Sequence, residues 1–228
     1  MELKTKLLFI KDEAKKVRSW HFQKENGFVY QPGQFYMFNI TGLPLWRSYS
    51  IASSPTEKDI VITALLEGRF TGALFALQPG MEVSMKGPFG RFVFNENVPE
   101  DVVFLTGGIG VTPFRSMIKY AVDKQLPNHI YLFYSARRSE DLAYMDEFKQ
   151  WEGGKVHCYF TVTRPDEEWE GPTGRLTWDV IMDNIKDASN KKFYICSSVS
   201  FAEGMNKLLL DNGVEKGQIR LEKWGVHP

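Results

Sequence analysis

Two short stretches of this chain carry residue types that can hold a ligand having both a diphosphate and a flat ring. Residues 47–50 read RSYS. Arginine offers a planar fork to phosphate oxygens and tyrosine a flat amphipathic face, so Arg47, Ser48, Tyr49 and Ser50 suit a large heterocycle with phosphates attached. The second stretch is GRFTGALF, residues 68–75. Gly68 opens a turn and Thr71 stands where a helix is expected to start, so backbone N–H groups there can face an anion. Alone, Thr71 reads as a simple N-cap; beside Arg47 it reads as a second phosphate contact.

A third candidate is TGGIGVTPF, residues 106–114, between a strand pattern and a helix pattern. Gly107, Gly108 and Gly110 let a backbone approach a pyrophosphate closely, with Thr112 a possible cap and Pro113 in a first turn that tolerates proline. Three glycines also make an ordinary tight turn. No GK[ST] follows, so it is not a Walker loop, and the third glycine of the usual dinucleotide fingerprint is absent. The next strand ends SARR, residues 135–138. A dinucleotide fold binds its adenosine ribose there, and arginine suits a 2′-phosphate as a carboxylate suits free hydroxyls. Ser135, Arg137 and Arg138 are therefore candidates, with Arg164 a second clamp after the following strand; Arg138 reads equally as a solvated loop residue.

These stretches need two different frames. The chain has 228 residues, room for two domains. Up to about residue 95, runs such as FYMFNI, DIVITAL and MEVSMK are cut by turn residues, which suits an antiparallel β-barrel, with one helix starting near Thr71. After Pro99 strands alternate with helices expected at 112–124, 141–151, 177–185 and 200–212. The early strands are nearly continuous in apolar residues, the mark of a parallel, doubly wound α/β sheet covered on both faces. The division is placed at 1–97 and 98–228.

Composition narrows the function. Lys plus Arg and Asp plus Glu are both 28, so the net charge of zero offers no field to steer nucleic acid or anionic lipid. Cys158 and Cys196 are too few for a disulfide framework, a four-cysteine zinc site or an iron–sulfur cluster. His21, His129, His157 and His227 are scattered, with no metal or triad spacing, and His157 and Cys158 read as neighbours on a strand. No apolar run is long enough for a signal segment or a bilayer span, so a cytoplasmic monomer is expected.

The ordered series PGQF (32–35), RSYS (47–50), GRFT (68–71), KGPFGRF (86–92), TGGIGVTP (106–113), SAR (135–137), YICSS (194–198) and LEKW (221–224) resembles the ferredoxin–NADP reductase superfamily over essentially the whole chain. The resemblance implies an FAD-binding barrel followed by an NAD(P)-binding α/β domain, with no metal. It implies that Arg47 contacts the FAD pyrophosphate, Tyr49 stacks on the isoalloxazine and Ser50 bonds near flavin N5. Thr63, Ala64 and Leu65 would run along the ribityl and pyrophosphate, and Gly68, Arg69, Phe70 and Thr71 would close over the phosphates. Thr106 to Pro113 would surround the nicotinamide nucleotide's pyrophosphate, and Arg137 would hold the 2′-phosphate of NADP(H), NAD(H) being the alternative. Cys196 would lie near nicotinamide C4 and Glu222 near the flavin edge. The family's Cys-Gly-Pro is Cys196, Ser197 and Ser198 here. The chain also continues past the candidate stacking residue Trp224 with Gly225, Val226, His227 and Pro228.

The implied chemistry is hydride transfer from NAD(P)H to flavin, with Ser50, Cys196 and Glu222 beside the reacting atoms, and electrons passing on to a separate acceptor protein. Ferredoxin, flavodoxin or an oxygenase component is expected as that acceptor. Lys4, Lys6, Lys11, Lys15, Lys16 and Arg18 could receive an acidic carrier or could be a solvated barrel edge. The alternatives are a free-flavin or ferric reductase, and a non-turnover flavoprotein subunit of a larger complex.

Overall fold

The computed structural model describes residues 2–25 and 28–224. His227 and the three residues around it fall outside that range. Contacts divide the chain into two compact units, residues 1–94 with 112–124, and residues 95–111 with 125–228.

The first unit is an antiparallel sheet of β1 (Glu2–Ala14), β2 (Val17–Gln23), β3 (Phe35–Ile40), β4 (Arg47–Ser50), β5 (Asp59–Leu65) and β6 (Glu82–Phe89), in the order β4-β3-β6-β1-β2-β5. A bridge between Ile51 and Ile62 joins its two end strands, which curls the sheet into a barrel. Alternation in β3 buries Tyr36, Phe38 and Ile40 among Trp20, Phe22, Ile60 and Ile62. Helix α1 (Arg69–Phe75) adds Phe70 and Leu74 to that core. Strand β1 pairs with β6 through its first half and with β2 through its second, and its lysines Lys4, Lys6 and Lys11 are exposed to solvent. Two of the cations expected to receive a carrier have neighbouring acids: Lys11 meets Glu13 and Arg18 meets Asp12.

Helix α2 (Thr112–Asp123) groups with this unit. Its buried residues include Phe114, Arg115, Ser116 and Met117.

The second unit is a parallel sheet of β7 (Asp101–Gly107), β8 (Ile130–Ala136), β9 (Val156–Val162), β10 (Lys191–Ser198) and β11 (Ile219–Trp224), ordered β11-β10-β7-β8-β9. Its first strand, β7, lies in the middle, with Val102 to Thr106 fully buried. The chain winds outward from β7 in both directions, so the switch in strand order falls between β7 and β10, where such sheets bind ligands at the carboxyl ends. Helices α3 (Met145–Trp151), α4 (Trp178–Ile185) and α5 (Val199–Asp211) complete the unit.

The helix expected over 141–151 is only its second half. Residues 139–141 form a 3-10 turn, and Tyr144 then takes a left-handed conformation at φ 62° ahead of α3. The cause is tertiary: Leu142, Ala143 and Tyr144 are buried, and the Ala143 N–H donates to the Tyr134 hydroxyl instead of continuing a helix. The histidines also differ from their reading as scattered. Strands β8 and β9 start side by side and bring His129 Nδ1 to 3.1 Å from His157 Nε2. No helix among the described residues is long and apolar enough to cross a membrane.

Candidate functional site

In the first unit, Arg47 to Ser50 form strand β4, held against β3 with Tyr36 opposite Tyr49 and Phe35 opposite Ser50. Strand alternation puts Arg47 and Tyr49 on one face and Ser48 and Ser50 on the other. Arg47 is exposed, and its guanidinium bonds only the carbonyl of Trp46, at 3.3 Å, among the described residues. Tyr49 is half-buried, stacked on Phe70 and edge-on to Phe38, both at 6.0 Å. Burial pushes its phenol up to about 12 against the opposing charge of Arg47, so the hydroxyl stays a donor. Tyr49 lies at the core's margin, partly buried with one side on Phe38 and Phe70. The Ser50 hydroxyl has no partner among the described residues and is available to a ligand.

Thr63 spends its side chain inside the barrel. It is buried, and its hydroxyl bonds that of Ser19 at 2.9 Å inside the barrel. Ala64 is buried too and Leu65 half-buried. Past Ile62 no strand among the described residues covers the outer edge of β5, so this segment can offer a ligand its backbone. Thr71 is the third residue of α1, not its cap: its hydroxyl accepts from the Glu67 N–H at 2.8 Å and donates to the Gly68 carbonyl at 3.1 Å. Exposed Arg69 and Arg47 are left to meet phosphate charge, with Gly68 turning the chain at φ 101° and Phe70 anchored below. Two exposed arginines, a protonated half-buried phenol and a strand edge left open among the described residues fit a flavin dinucleotide.

In the second unit, β7 ends at Gly107 and a 3-10 turn spans Gly108–Val111. The glycines divide by purpose. A Cβ on Gly110 would sit 2.3 Å from the Cys196 carbonyl oxygen, and one on Gly107 3.0 Å from Ser197 Oγ. Those two let the turn lie against β10. Gly108, at φ 54° with nothing within 4 Å of its would-be Cβ, presents open backbone, as a pyrophosphate requires. Thr106 is fully buried and donates to the Cys196 carbonyl at 2.9 Å, and Ser197 Oγ donates to the Gly107 carbonyl at 3.1 Å. Thr106 is thus a clamp between β7 and β10. Ser197, where the family has glycine, is a clamp that the sequence signalled only as a departure. Thr112 and Pro113 open α2 and group with the first unit.

At the carboxyl ends of β8 and β9, Arg137, Arg138 and Arg164 are exposed and Ser135 is buried. The Arg164 N–H donates to the Arg137 carbonyl at 2.8 Å, which places both cations on one edge. Arg138 donates its own N–H to Asp141, at 3.2 Å.

Cys196 and Glu222 are register partners on β10 and β11, and Trp224, partly exposed, ends β11. Burial first, and the Glu222 charge second, hold the Cys196 thiol well above its ordinary range, so it is an uncharged group, not a nucleophile. Burial also raises Glu222 from 4.5 to about 7. Between those values the folded chain holds a proton that the unfolded chain has released, so stability falls as pH rises from 4.5 through 7. Glu222→Gln should remove that slope, adding about 2 kcal/mol at about pH 8, allowing for partial solvation, and almost nothing at about pH 4.5. Melting temperature measured across this range checks it; an unchanged profile would mean that the carboxyl is solvated.

Two residues of consequence were not singled out from sequence: Arg115 and Glu57, a mostly buried ion pair at 3.0 Å. The only signal was a charge inside the apolar run PFRSMI.

Comparison with known proteins agrees with both halves. The family model for the oxidoreductase FAD-binding domain matches residues 5–94, and that for the oxidoreductase NAD-binding domain matches residues 104–207. The reductase component of propane 2-monooxygenase from Rhodococcus jostii is 27% identical over 208 residues, covering 87% of this chain and 56% of the relative. One component of a Na(+)-translocating NADH-quinone reductase from Neisseria meningitidis is 28% identical over 202 residues, covering 80% and 50%. The chain thus spans about half the length of these curated relatives. The FAD/NAD-binding domain of a nitric oxide dioxygenase from Vibrio cholerae shares the fold with a TM-score of 0.88 at 20% identity, covering 98% of each chain.

Proposed function

Because the chain belongs to the ferredoxin reductase family of FAD- and NAD-binding oxidoreductases, we propose that it takes a hydride from NAD(P)H and passes electrons through FAD to a separate acceptor protein. The observation that carries this reading is the open, positive-φ backbone of Gly108 at the switch point of the parallel sheet, beside a buried thiol and a carboxyl that is half-protonated near neutrality. Bound flavin supplies the conversion of a two-electron hydride into single electrons. The residues position and shield. Arg47 and Arg69 neutralise the FAD diphosphate, and Tyr49, fixed by Phe70, forms a wall for the ring. The Ser50 hydroxyl donates toward N5. Gly108 admits the nucleotide pyrophosphate, Arg137 and Arg164 hold the 2′-phosphate, and Cys196 gives the nicotinamide an uncharged neighbour. Glu222, raised by burial to about 7, is the group that can hold or release a proton near neutrality.

For the acceptor, the relative that serves a propane monooxygenase supports an oxygenase component, with ferredoxin and flavodoxin as the other protein carriers. The relative that forms part of a quinone reductase supports a second reading, an electron-transfer component of a larger assembly.

The test is the visible spectrum of the purified full chain under anaerobic conditions, before and after NADPH and, separately, NADH. Flavin bands that bleach quickly are the expected result. Bands that persist would favour the non-turnover component, and a colourless protein that reduces only added flavin would make flavin its substrate.

A further inference from the structure

The chain immediately after strand β4 is unusual for a loop. Ile51, Ala52, Ser53 and Ser54 are all fully buried, although two of the four are serines. A buried polar segment is stable only if its groups find partners, at a cost of about 1–3 kcal/mol for each one left without. Tyr30 supplies part of the answer: its hydroxyl bonds Ser53 Oγ at 2.9 Å and the Ser54 carbonyl at 2.9 Å. Helix α2 supplies the rest. Arg115 donates to the Ala52 carbonyl at 2.9 Å, and Ser116 Oγ donates to the Ser53 carbonyl at 2.6 Å. Glu57 joins both sides, accepting from the Ser54 N–H at 2.6 Å and from both terminal nitrogens of Arg115 at 3.0 and 3.2 Å. The Arg115 side chain is 7% exposed and that of Glu57 23%, a fork-to-carboxylate pair largely removed from water.

The same helix packs on the other turn of the barrel. A Cβ on Gly33, in the PGQ turn, would come 2.4 Å from Met117 Cε, and Phe114 lies edge-on to Phe92 at 5.9 Å. The Ile51 N–H donates to the Gln34 carbonyl, which joins that turn to the segment after β4.

We propose that helix α2, although it follows the nucleotide turn in the chain, is a structural part of the flavin site, with Arg115 and Glu57 a positioning pair that holds the end of β4 in the shape the flavin requires. This rests on reading Arg47 to Ser50 as the flavin strand. The pair touches no flavin; it acts through the carbonyl of Ala52 and the N–H of Ser54, three and four residues beyond Tyr49 and Ser50 respectively. Removing one partner leaves a buried charge or a buried carbonyl unsatisfied, and the segment rearranges to reach water.

The experiment uses the full chain with Glu57→Gln, Arg115→Met and Arg115→Lys, and Arg47→Ala as reference. FAD dissociation constants are read by flavin fluorescence, NADP+ dissociation constants by calorimetry, and amide exchange at Ala52 and Val61 by mass spectrometry. Glu57→Gln should weaken FAD by on the order of 10-fold and Arg115→Met by more, with Arg115→Lys recovering part of the loss. Exchange should accelerate at Ala52 and Val61, whose N–H groups bond the Val61 carbonyl and Ser53 Oγ, while the NADP+ constant stays unchanged. Folded variants with FAD affinity within about twofold of the parent, while Arg47→Ala is impaired, would overturn the proposal. Parallel loss of FAD and NADP+ affinity would reduce the pair to a general folding element and overturn it as well. If Arg47→Ala leaves FAD binding intact, the reading of β4 itself has failed. Should Arg115→Met not fold, Glu57→Gln, which preserves shape, decides.

Discussion

Gly110→Ala should weaken nucleotide binding by on the order of 100-fold and destabilise the second unit by about 2–3 kcal/mol. The new methyl would lie 2.3 Å from the Cys196 oxygen and 2.9 Å from both the Cys196 carbonyl carbon and Ser197 Cα, all of them backbone atoms. No rotamer change relieves contacts with a strand in the middle of a sheet, so the turn itself must shift by about an ångström. That shift breaks the Thr106 bond to Cys196 and the Ser197 bond to Gly107, and it moves Gly108 away from where a pyrophosphate would lie. Gly108→Ala separates the two effects. Its Cβ meets nothing within 4 Å, so the stability cost is the backbone's alone, about 1 kcal/mol at φ 54°, while the ligand-facing space is filled. Melting temperature and NADPH affinity measured on both variants should therefore rank differently: Gly110→Ala loses stability and binding, Gly108→Ala mainly binding. Equal melting temperatures would mean that the turn does not press on β10.

The second large effect concerns the choice between NADPH and NADH. A charge-assisted hydrogen bond contributes about 1.5–3 kcal/mol, which favours a 2′-phosphate by on the order of 10 to 150-fold. Arg137→Ala should cut the ratio of flavin-reduction rates with NADPH and NADH by that factor, through the NADPH rate alone. Arg164, tied to the Arg137 carbonyl, should account for a smaller part of the preference, and Arg138→Ala should change the ratio by less than about threefold. Added salt should erode the preference, since these cations are exposed. Anaerobic stopped-flow reduction with each nucleotide measures the ratio. A ratio that survives Arg137→Ala but collapses with Arg164→Ala would move the phosphate to the end of β9.

Much of this was legible in the linear chain because local rules decide it. Strands β3, β5, β8 and β11 fall on the segments that alternation and apolar runs marked, since a period of two or a buried run has few other ways to hide its side chains. Helix α4 begins after Thr177, whose hydroxyl accepts from the Val180 N–H, a cap written in residue type. The candidate residues of β4, the glycine turn and the arginines after β8 and β9 were likewise visible, because phosphate and ring recognition demand particular side chains at strand ends.

The sequence by itself determined the two sheet types, the candidate motifs and the lack of cluster cysteines, all properties of residue type and near spacing. Only the tertiary structure decided what each motif residue does. Thr106 and Thr63 read as ligand contacts but spend their hydroxyls on Cys196 and Ser19, partners 90 and 44 residues away. Among three similar glycines, Gly107 and Gly110 serve packing and Gly108 is open. Helix 141–151 was halved by burial of Tyr144, and helix α2 is joined to the barrel by an ion pair spanning 58 residues. The reason is common to all of these: a hydroxyl, a missing Cβ or a guanidinium takes its role from whatever the chain brings within about 3 Å, and nearest-neighbour sequence carries no record of that.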